Sequence, residues 1–198
     1  LLVVGDSLSA AFGIDPDDGW VSLLQLRLAK SEAPWRVVNA SISGDTTAGG
    51  LSRLPGLLRL HRPDIVVIAL GSNDGLRALG FEQIRQNLTQ MIGLSRAQGA
   101  SLLLVGGRLP PNYGASYTEA FHELFHEIAA ATAVPLVPFL LQGVAEDRSL
   151  MQADGYHPTA RAQPQILENV WPLLSRLLGD QEGGVSATAT EPEAGGAK

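Results

Sequence analysis

Five short apolar runs, separated by longer stretches with helical spacing, set the plan of this chain. Leu1-Leu2-Val3-Val4 ends in Gly5-Asp6-Ser7, and Arg36-Val37-Val38-Asn39-Ala40 ends in the polar segment from Ser41 to Thr47. Asp64 to Leu70 is a continuous β-branched run, the pattern of a central strand covered on both faces, and closes with Gly71-Ser72-Asn73-Asp74. Ser101 to Val105 and the proline-bounded Pro135 to Phe139 complete the set.

Between these runs, apolar residues recur at helical spacing over Val21 to Lys30, Leu51 to Leu58, Phe81 to Gln98, Ser116 to Ala131 and Thr159 to Leu178. Pro55 and Pro172 are expected to bend their helices. Strand and helix therefore alternate, which predicts an α/β fold: a three-layer α/β/α sandwich on a five-stranded parallel sheet. Right-handed crossovers would bring the carboxyl end of every strand to one rim. From Gly179 onward the residues are small, polar and without period. One folded domain is thus expected over 1–179, and a disordered low-complexity tail over 180–198.

Composition narrows the classes of function. Across 198 residues the chain is 45% hydrophobic and 17% charged, as a folded domain requires, and its net charge of −6 argues against nucleic acid. No apolar run reaches the roughly 18–20 residues of a membrane span, so no integral membrane segment is expected. The chain has no cysteine, so it carries neither a disulfide frame nor a thiolate nucleophile. It opens at Leu1 inside a strand, and a further segment upstream is expected.

The chemistry starts from Ser7. Ligands of open parallel α/β sheets bind at the carboxyl ends of strands, and Ser7 stands at such an end. A serine hydroxyl needs a base, a group that orients the base, and donors for the oxyanion formed at an attacked carbonyl. Asp154-Gly155-Tyr156-His157-Pro158 offers the first two: Asp154 can take the imidazole Nδ1–H while Nε2 faces outward. The Ser7 and Gly44 N–H groups and the Asn73 carboxamide are candidate oxyanion donors. Singly, each of these turns has a plain reading as a helix cap or a glycine turn. Together at successive strand ends, they favour one site.

These blocks, Gly5-Asp6-Ser7-Leu8-Ser9, Gly44, Gly71-Ser72-Asn73-Asp74 and Asp154 to Pro158, resemble in order the four signature blocks of the SGNH (GDSL) hydrolase family. Leu109 to Gly114 and Met151-Gln152 are further likenesses to its thioesterase and lysophospholipase group of bacterial esterases. The resemblance implies a flavodoxin-like sheet, Ser7 as nucleophile, His157 as base, Asp154 as its orienter, and Ser7, Gly44 and Asn73 as oxyanion hole. It implies hydrolysis of acyl esters and thioesters, with aryl esters and lysophospholipids in range, without cofactor or metal, often in the periplasm or after secretion. A small acyl substrate is the expected partner, and a monomer the expected state.

The loops 75–80 and 107–117 are rich in leucine and proline and suit an apolar tail. The family uses the same loops. Gly75, Leu76, Arg77, Leu109, Pro110, Pro111, Asn112 and Tyr113 are accordingly candidates for substrate contact, with Asp6, Leu8 and Tyr156 beside the triad. Trp20, Trp35 and Trp171 fit core packing better than a pocket wall.

Two rival classes remain. His122-Glu123-Leu124-Phe125-His126 matches a zinc-peptidase pattern, with Glu146 as a distant third ligand. Helical spacing puts Tyr117, Phe121, Leu124, Phe125 and Ile128 on the buried face, so both histidines are expected in solvent. A non-catalytic flavodoxin-like binding module is the other. Within the serine chemistry, a carbohydrate O-deacetylase would use the same residues on a shorter acyl group.

Overall fold

The computed structural model describes residues 1–30 and 35–186. Among them, strands β1 (Leu2–Gly5), β2 (Val38–Asn39), β3 (Ile65–Ala69), β4 (Ser101–Val105) and β5 (Leu136–Val137) form one all-parallel sheet in the order β2-β1-β3-β4-β5. That order is the flavodoxin-like doubly wound one, and its switch point lies between β1 and β3. The register pairs Gly5 with Ala69. The turns that follow β1 and β3 therefore leave the sheet side by side.

The helices are α1 (Trp20–Leu28), α2 (Thr47–His61), the short α3 (Ser72–Leu76), α4 (Phe81–Ala97), α5 (Ala115–Thr132) and α6 (Gln163–Ser186). Alternate strand residues face opposite layers, as the pleat requires. Val3, Val67 and Leu103 pack with Trp20, Leu24, Ile166 and Val170 of α1 and α6. Val4, Val66 and Leu104 pack with Leu54, Leu88 and Phe125 of α2, α4 and α5. A sheet covered on both faces is why the strands read as unbroken apolar runs.

Several boundaries differ from the sequence expectation. The second and fifth runs contribute only two ladder residues each, because they flank the sheet and pair on one side. Pro55 does not restart its helix: it lies inside α2, as Pro172 lies inside α6. Thr159 precedes a single 3₁₀ turn over Ala160–Ala162, so the closing helix starts at Gln163. At its other end α6 continues past Gly179 to Ser186, into the stretch expected to be tail. The rest of that expected tail, 187–198, lies outside the described residues. Trp20 is fully buried in the core beneath α6, and Trp171 carries the Arg27 guanidinium over its ring.

A buried polar network fixes the start of α2 against the turn after β3. Asp74, 1% exposed, accepts the Thr47 N–H at 2.9 Å and the Thr47 hydroxyl at 2.6 Å. Asn87 Nδ2 donates to Thr47 Oγ1 at 2.9 Å, and Gln83 Nε2 to Asn87 Oδ1 at 3.0 Å. Buried polar groups persist only when paired in this way. Asp74→Ala strands the Thr47 donors and is expected to lower stability by about 2–4 kcal/mol. A urea titration reads this as a lower midpoint at unchanged slope; a midpoint equal to the parent's contradicts the network's role.

Candidate active site

Ser7 sits in the tight turn that follows β1, half-buried, at the switch point of the sheet. The turn is closed by Ala10 N–H donating to Asp6 O at 2.9 Å and Phe12 N–H to Ser7 O at 3.2 Å. On the far side of the chain, Met151 and Pro158 form an antiparallel bridge that shapes the loop 151–158. This loop carries His157 to Ser7, with Nε2 2.9 Å from Oγ. The same ring places Nδ1 2.7 Å from Asp154 Oδ2. With Nδ1–H donating to the carboxylate, Nε2 is left as acceptor for the serine hydroxyl. The geometry is continuous over three side chains.

Asp154 is well exposed, yet its carboxyl is held at about 2. The chief cause is the His157 side-chain bond; the backbone N–H groups of His157 and Tyr156, at 3.0 and 2.9 Å from Oδ1, add to it. The three-residue spacing makes this possible, since a loop turning back on itself aims both backbone N–H groups and the imidazole at one carboxylate. Asp154 is therefore ionised from moderately acid pH upward.

Asp6 is the opposite case. It is 2% exposed, and burial pushes its carboxyl up to about 6, against the pull of its bond from Leu8 N–H at 3.1 Å. Its other oxygen lies 3.4 Å from Asn73 Nδ2. Asn73 itself stands in the first turn of α3 and also donates from Nδ2 to Asp45 O at 3.0 Å. Gly44, at φ +78°, takes a left-handed turn that suits glycine. Among the described residues, neither the Ser7 nor the Gly44 N–H has an intramolecular acceptor.

The expected substrate residues divide. A cleft of about 610 Å³ opens beside Ser7 and His157, and Leu76, Leu109, Pro110, Pro111 and Tyr113 line it. Asp6, Leu8, Asn73 and Tyr156 line it as well. Gly75, Arg77 and Asn112 do not. Gly75 is packed beneath the wall: a Cβ there would lie 2.6 Å from Phe121 and 2.9 Å from Leu109. Arg77 instead donates from Nη2 to Gly44 O at 3.0 Å, bracing the turn that carries the free N–H. Asn112 is exposed on the outside of the loop.

The two loops forming the wall are tied together, because Tyr113 and Tyr117 hydroxyls donate to Leu76 O and Gly75 O at 2.9 and 3.0 Å.

Of the two histidines on α5, His122 departs from the expectation and His126 is half-buried. His122 is buried rather than solvated, with Nδ1 3.4 Å from Gly107 O and Nε2 3.2 Å from Arg108 Nη2. Burial lowers its pKa, with the Arg108 charge acting in the same direction. The chain after β4 folds over that side of α5, so the buried stripe is wider than the apolar residues alone suggest. The two imidazoles meet edge to face, and among the described residues no group of three His, Cys, Asp or Glu could hold a metal ion. No helix of the described residues is long and apolar enough to cross a membrane.

The site invites comparison with known proteins. The family model described as GDSL-like Lipase/Acylhydrolase matches residues 3–163. The chain belongs to this family. It is 57% identical over 178 residues to "Esterase TesA" of Pseudomonas aeruginosa, covering 90% of this chain and 89% of that one. It is 44% identical over 168 residues to "Thioesterase 1/protease 1/lysophospholipase L1" of Escherichia coli, covering 85% and 79%. A crystal structure of TesA superposes with a TM-score of 0.87 at 57% identity, over 89% of this chain and 98% of that one. The chain is thus an esterase of the GDSL family, on the fold that family uses.

Asp6 yields a pH test. Its folded value lies above the ordinary 3.8, so the folded state binds this proton more tightly than the unfolded chain. The resulting stability is complete below pH ~4 and is lost as pH rises through ~6. Asp6→Asn removes the dependence, so urea midpoints of variant relative to parent should rise between pH 4 and 7. A constant offset across that range refutes the burial argument.

Proposed function

We propose that the protein hydrolyses acyl esters and thioesters through a covalent acyl-enzyme, with Ser7 as nucleophile, His157 as base and Asp154 as its orienting carboxylate. The observation that carries this reading is the unbroken contact from Ser7 Oγ through the imidazole to Asp154. As Ser7 Oγ bonds to the carbonyl carbon, its proton passes to His157 Nε2, and Asp154 holds the resulting imidazolium in place. The carbonyl oxygen becomes an oxyanion facing the Ser7 and Gly44 N–H groups and Asn73 Nδ2. The 3.4 Å contact of Nδ2 to Asp6 is the weaker of its two, and a full oxyanion outcompetes it.

Collapse of this intermediate breaks the bond to the alcohol or thiol, which leaves with the proton from Nε2. Water then gives a proton to the same nitrogen and adds to the acyl carbon; collapse breaks the bond to Ser7 Oγ, which takes that proton back from Nε2 as the acid leaves. Every group named lies within one chain, in keeping with action as a monomer. The cleft walls of leucine, proline and tyrosine favour an acyl tail longer than acetyl, and lysophospholipids and fatty acyl thioesters carry such tails. A periplasmic or secreted location is part of the same proposal and rests on the family resemblance alone.

The test is a series of p-nitrophenyl esters of rising acyl length, run beside fluorophosphonate labelling. Parent protein is expected to label at Ser7 and to turn over medium chains faster than acetate, with no response to chelator. Ser7→Ala should neither label nor turn over. Activity confined to acetyl esters would favour the O-deacetylase reading instead.

Loss of one oxyanion donor costs about 10²–10³ in kcat in other serine hydrolases, so Asn73→Ala is expected in that range. Asp154→Asn, which spoils the tautomer, should lose about 10⁴. Wild-type kcat in either variant would remove that residue from the proposed machinery.

A further inference from the structure

Ser7 and His157 come from opposite ends of the sequence, and their meeting has to be held by something other than their own hydrogen bond. Gln152 touches both sides. Its Nε2 donates to Phe12 O at 2.8 Å, in the turn that carries Ser7, and to Pro158 O at 2.9 Å, in the loop that carries His157. Both hydrogens of the carboxamide are thereby used, one on each partner. Its backbone N–H donates to His157 O at 2.7 Å, and its carbonyl accepts Gly155 N–H at 3.0 Å. One residue thus holds the loop below the imidazole and fastens that loop to the serine turn.

The turn is shaped to receive it. Gly13 has φ +75°, and a Cβ there would stand 2.3 Å from Gln152 Oε1, so the carboxamide lies directly against a bare α-carbon. Phe12, whose carbonyl takes the bond, is itself joined to Ser7 O through its N–H at 3.2 Å. The Phe12 ring then rests on the imidazole of His157, centroids 4.4 Å apart and planes at 40°. That ring is 48% exposed, so it is spent on the histidine rather than on the core. Gln152, Gly13 and Phe12 form a clamp whose two jaws are the nucleophile's turn and the base's loop.

We propose that Gln152 is a positioning residue that sets the distance between Ser7 Oγ and His157 Nε2, with Phe12 as the plate against which the imidazole is seated. The inference rests on the serine-hydrolase reading above, and it adds to that reading what aligns the pair. Proton transfer from Ser7 needs His157 Nε2 within hydrogen-bond reach of Oγ as the carbonyl is attacked. A displacement of about 1 Å can cost on the order of 10²-fold. Substrate binding in the cleft does not involve the clamp, since neither Gln152 nor Phe12 lines it.

The experiment compares Gln152→Met and Phe12→Leu with the parent on a p-nitrophenyl ester, alongside fluorophosphonate inactivation rates and thermal melts. Gln152→Met keeps the length of the side chain and removes both donors. It is expected to lower kcat about 10- to 100-fold with KM within about twofold, and to slow fluorophosphonate inactivation in parallel. Phe12→Leu keeps the backbone carbonyl and should lower kcat several-fold by the same split, which covers the case where the first variant folds poorly.

A purely structural role would lower the melting temperature and leave kcat per folded molecule untouched, and that result overturns the proposal. So does a loss that appears in KM alone. Failure of the parent to label at Ser7 would instead overturn the serine-hydrolase reading, and the two failures are distinguishable.

Discussion

The β1–β3 ladder is the constraint on which the site depends. Gly5 pairs with Ala69 in parallel register, so Ser7 and Asn73 emerge two and four residues beyond one ladder rung on adjacent strands. A shift of one residue would turn each inward-facing valine of β1 toward the wrong helical layer. The apolar layers on both faces therefore fix the register, and the register fixes the distance between a hydroxyl and an amide far apart in sequence. Core packing here acts on chemistry through geometry alone.

Behind that rung the protein keeps two buried carboxylates with different work. Asp74 is saturated by the Thr47 N–H and hydroxyl, and through them by Asn87, so the turn with Gly44 is anchored where α2 begins. Asp6 has only Leu8 N–H and a long contact to Asn73. It is under-satisfied, and burial raises its pKa to about 6. A buried carboxylate with spare acceptor capacity beside an amide can hold that amide without binding it tightly. Asn73 is thus oriented by Asp45 O and Asp6, and the N–H on the long contact to Asp6 is the one a stronger acceptor can displace.

Much of this was legible in the sequence, for identifiable reasons. A sheet buried on both faces leaves an unmistakable run such as Ile65 to Ala69, turns with Gly-Asp-Ser or Gly-Ser-Asn-Asp announce polar groups at strand ends, and Asp-Gly-Tyr-His-Pro announces a polar loop. What stayed hidden depends on contacts between elements. His122 shares a helix with a clear apolar stripe, yet its burial comes from the chain around Gly107 folding over it, which no periodicity records. Arg77 and Asn112 sit beside true wall residues in sequence, but neighbours along a short turn point in different directions. Gln152 looks like an ordinary loop residue until Phe12 is placed opposite it. The sequence spells local periodicity and turn chemistry; it does not spell which loop closes over which.

The two halves of the candidate triad are held by different physics, and the division is functional. The serine turn is built on the central sheet, where packing density allows little movement. The histidine and aspartate ride on a loop, 20% and 39% accessible, that meets the core only at its flanks, where Met151 packs on it and Pro158 is buried. Exposure keeps Asp154 ionised at small desolvation cost, since its low pKa comes from three hydrogen bonds and not from burial. A buried Asp154 would have met the penalty that raises Asp6. The consequence of exposure is a base that the core holds only through the ends of its loop. Local bonds within 151–158 fix the shape of the loop but not its placement against the sheet. Contacts that cross between the two halves must supply that placement, and Gln152 to Phe12 is such a contact running directly between the turn and the loop.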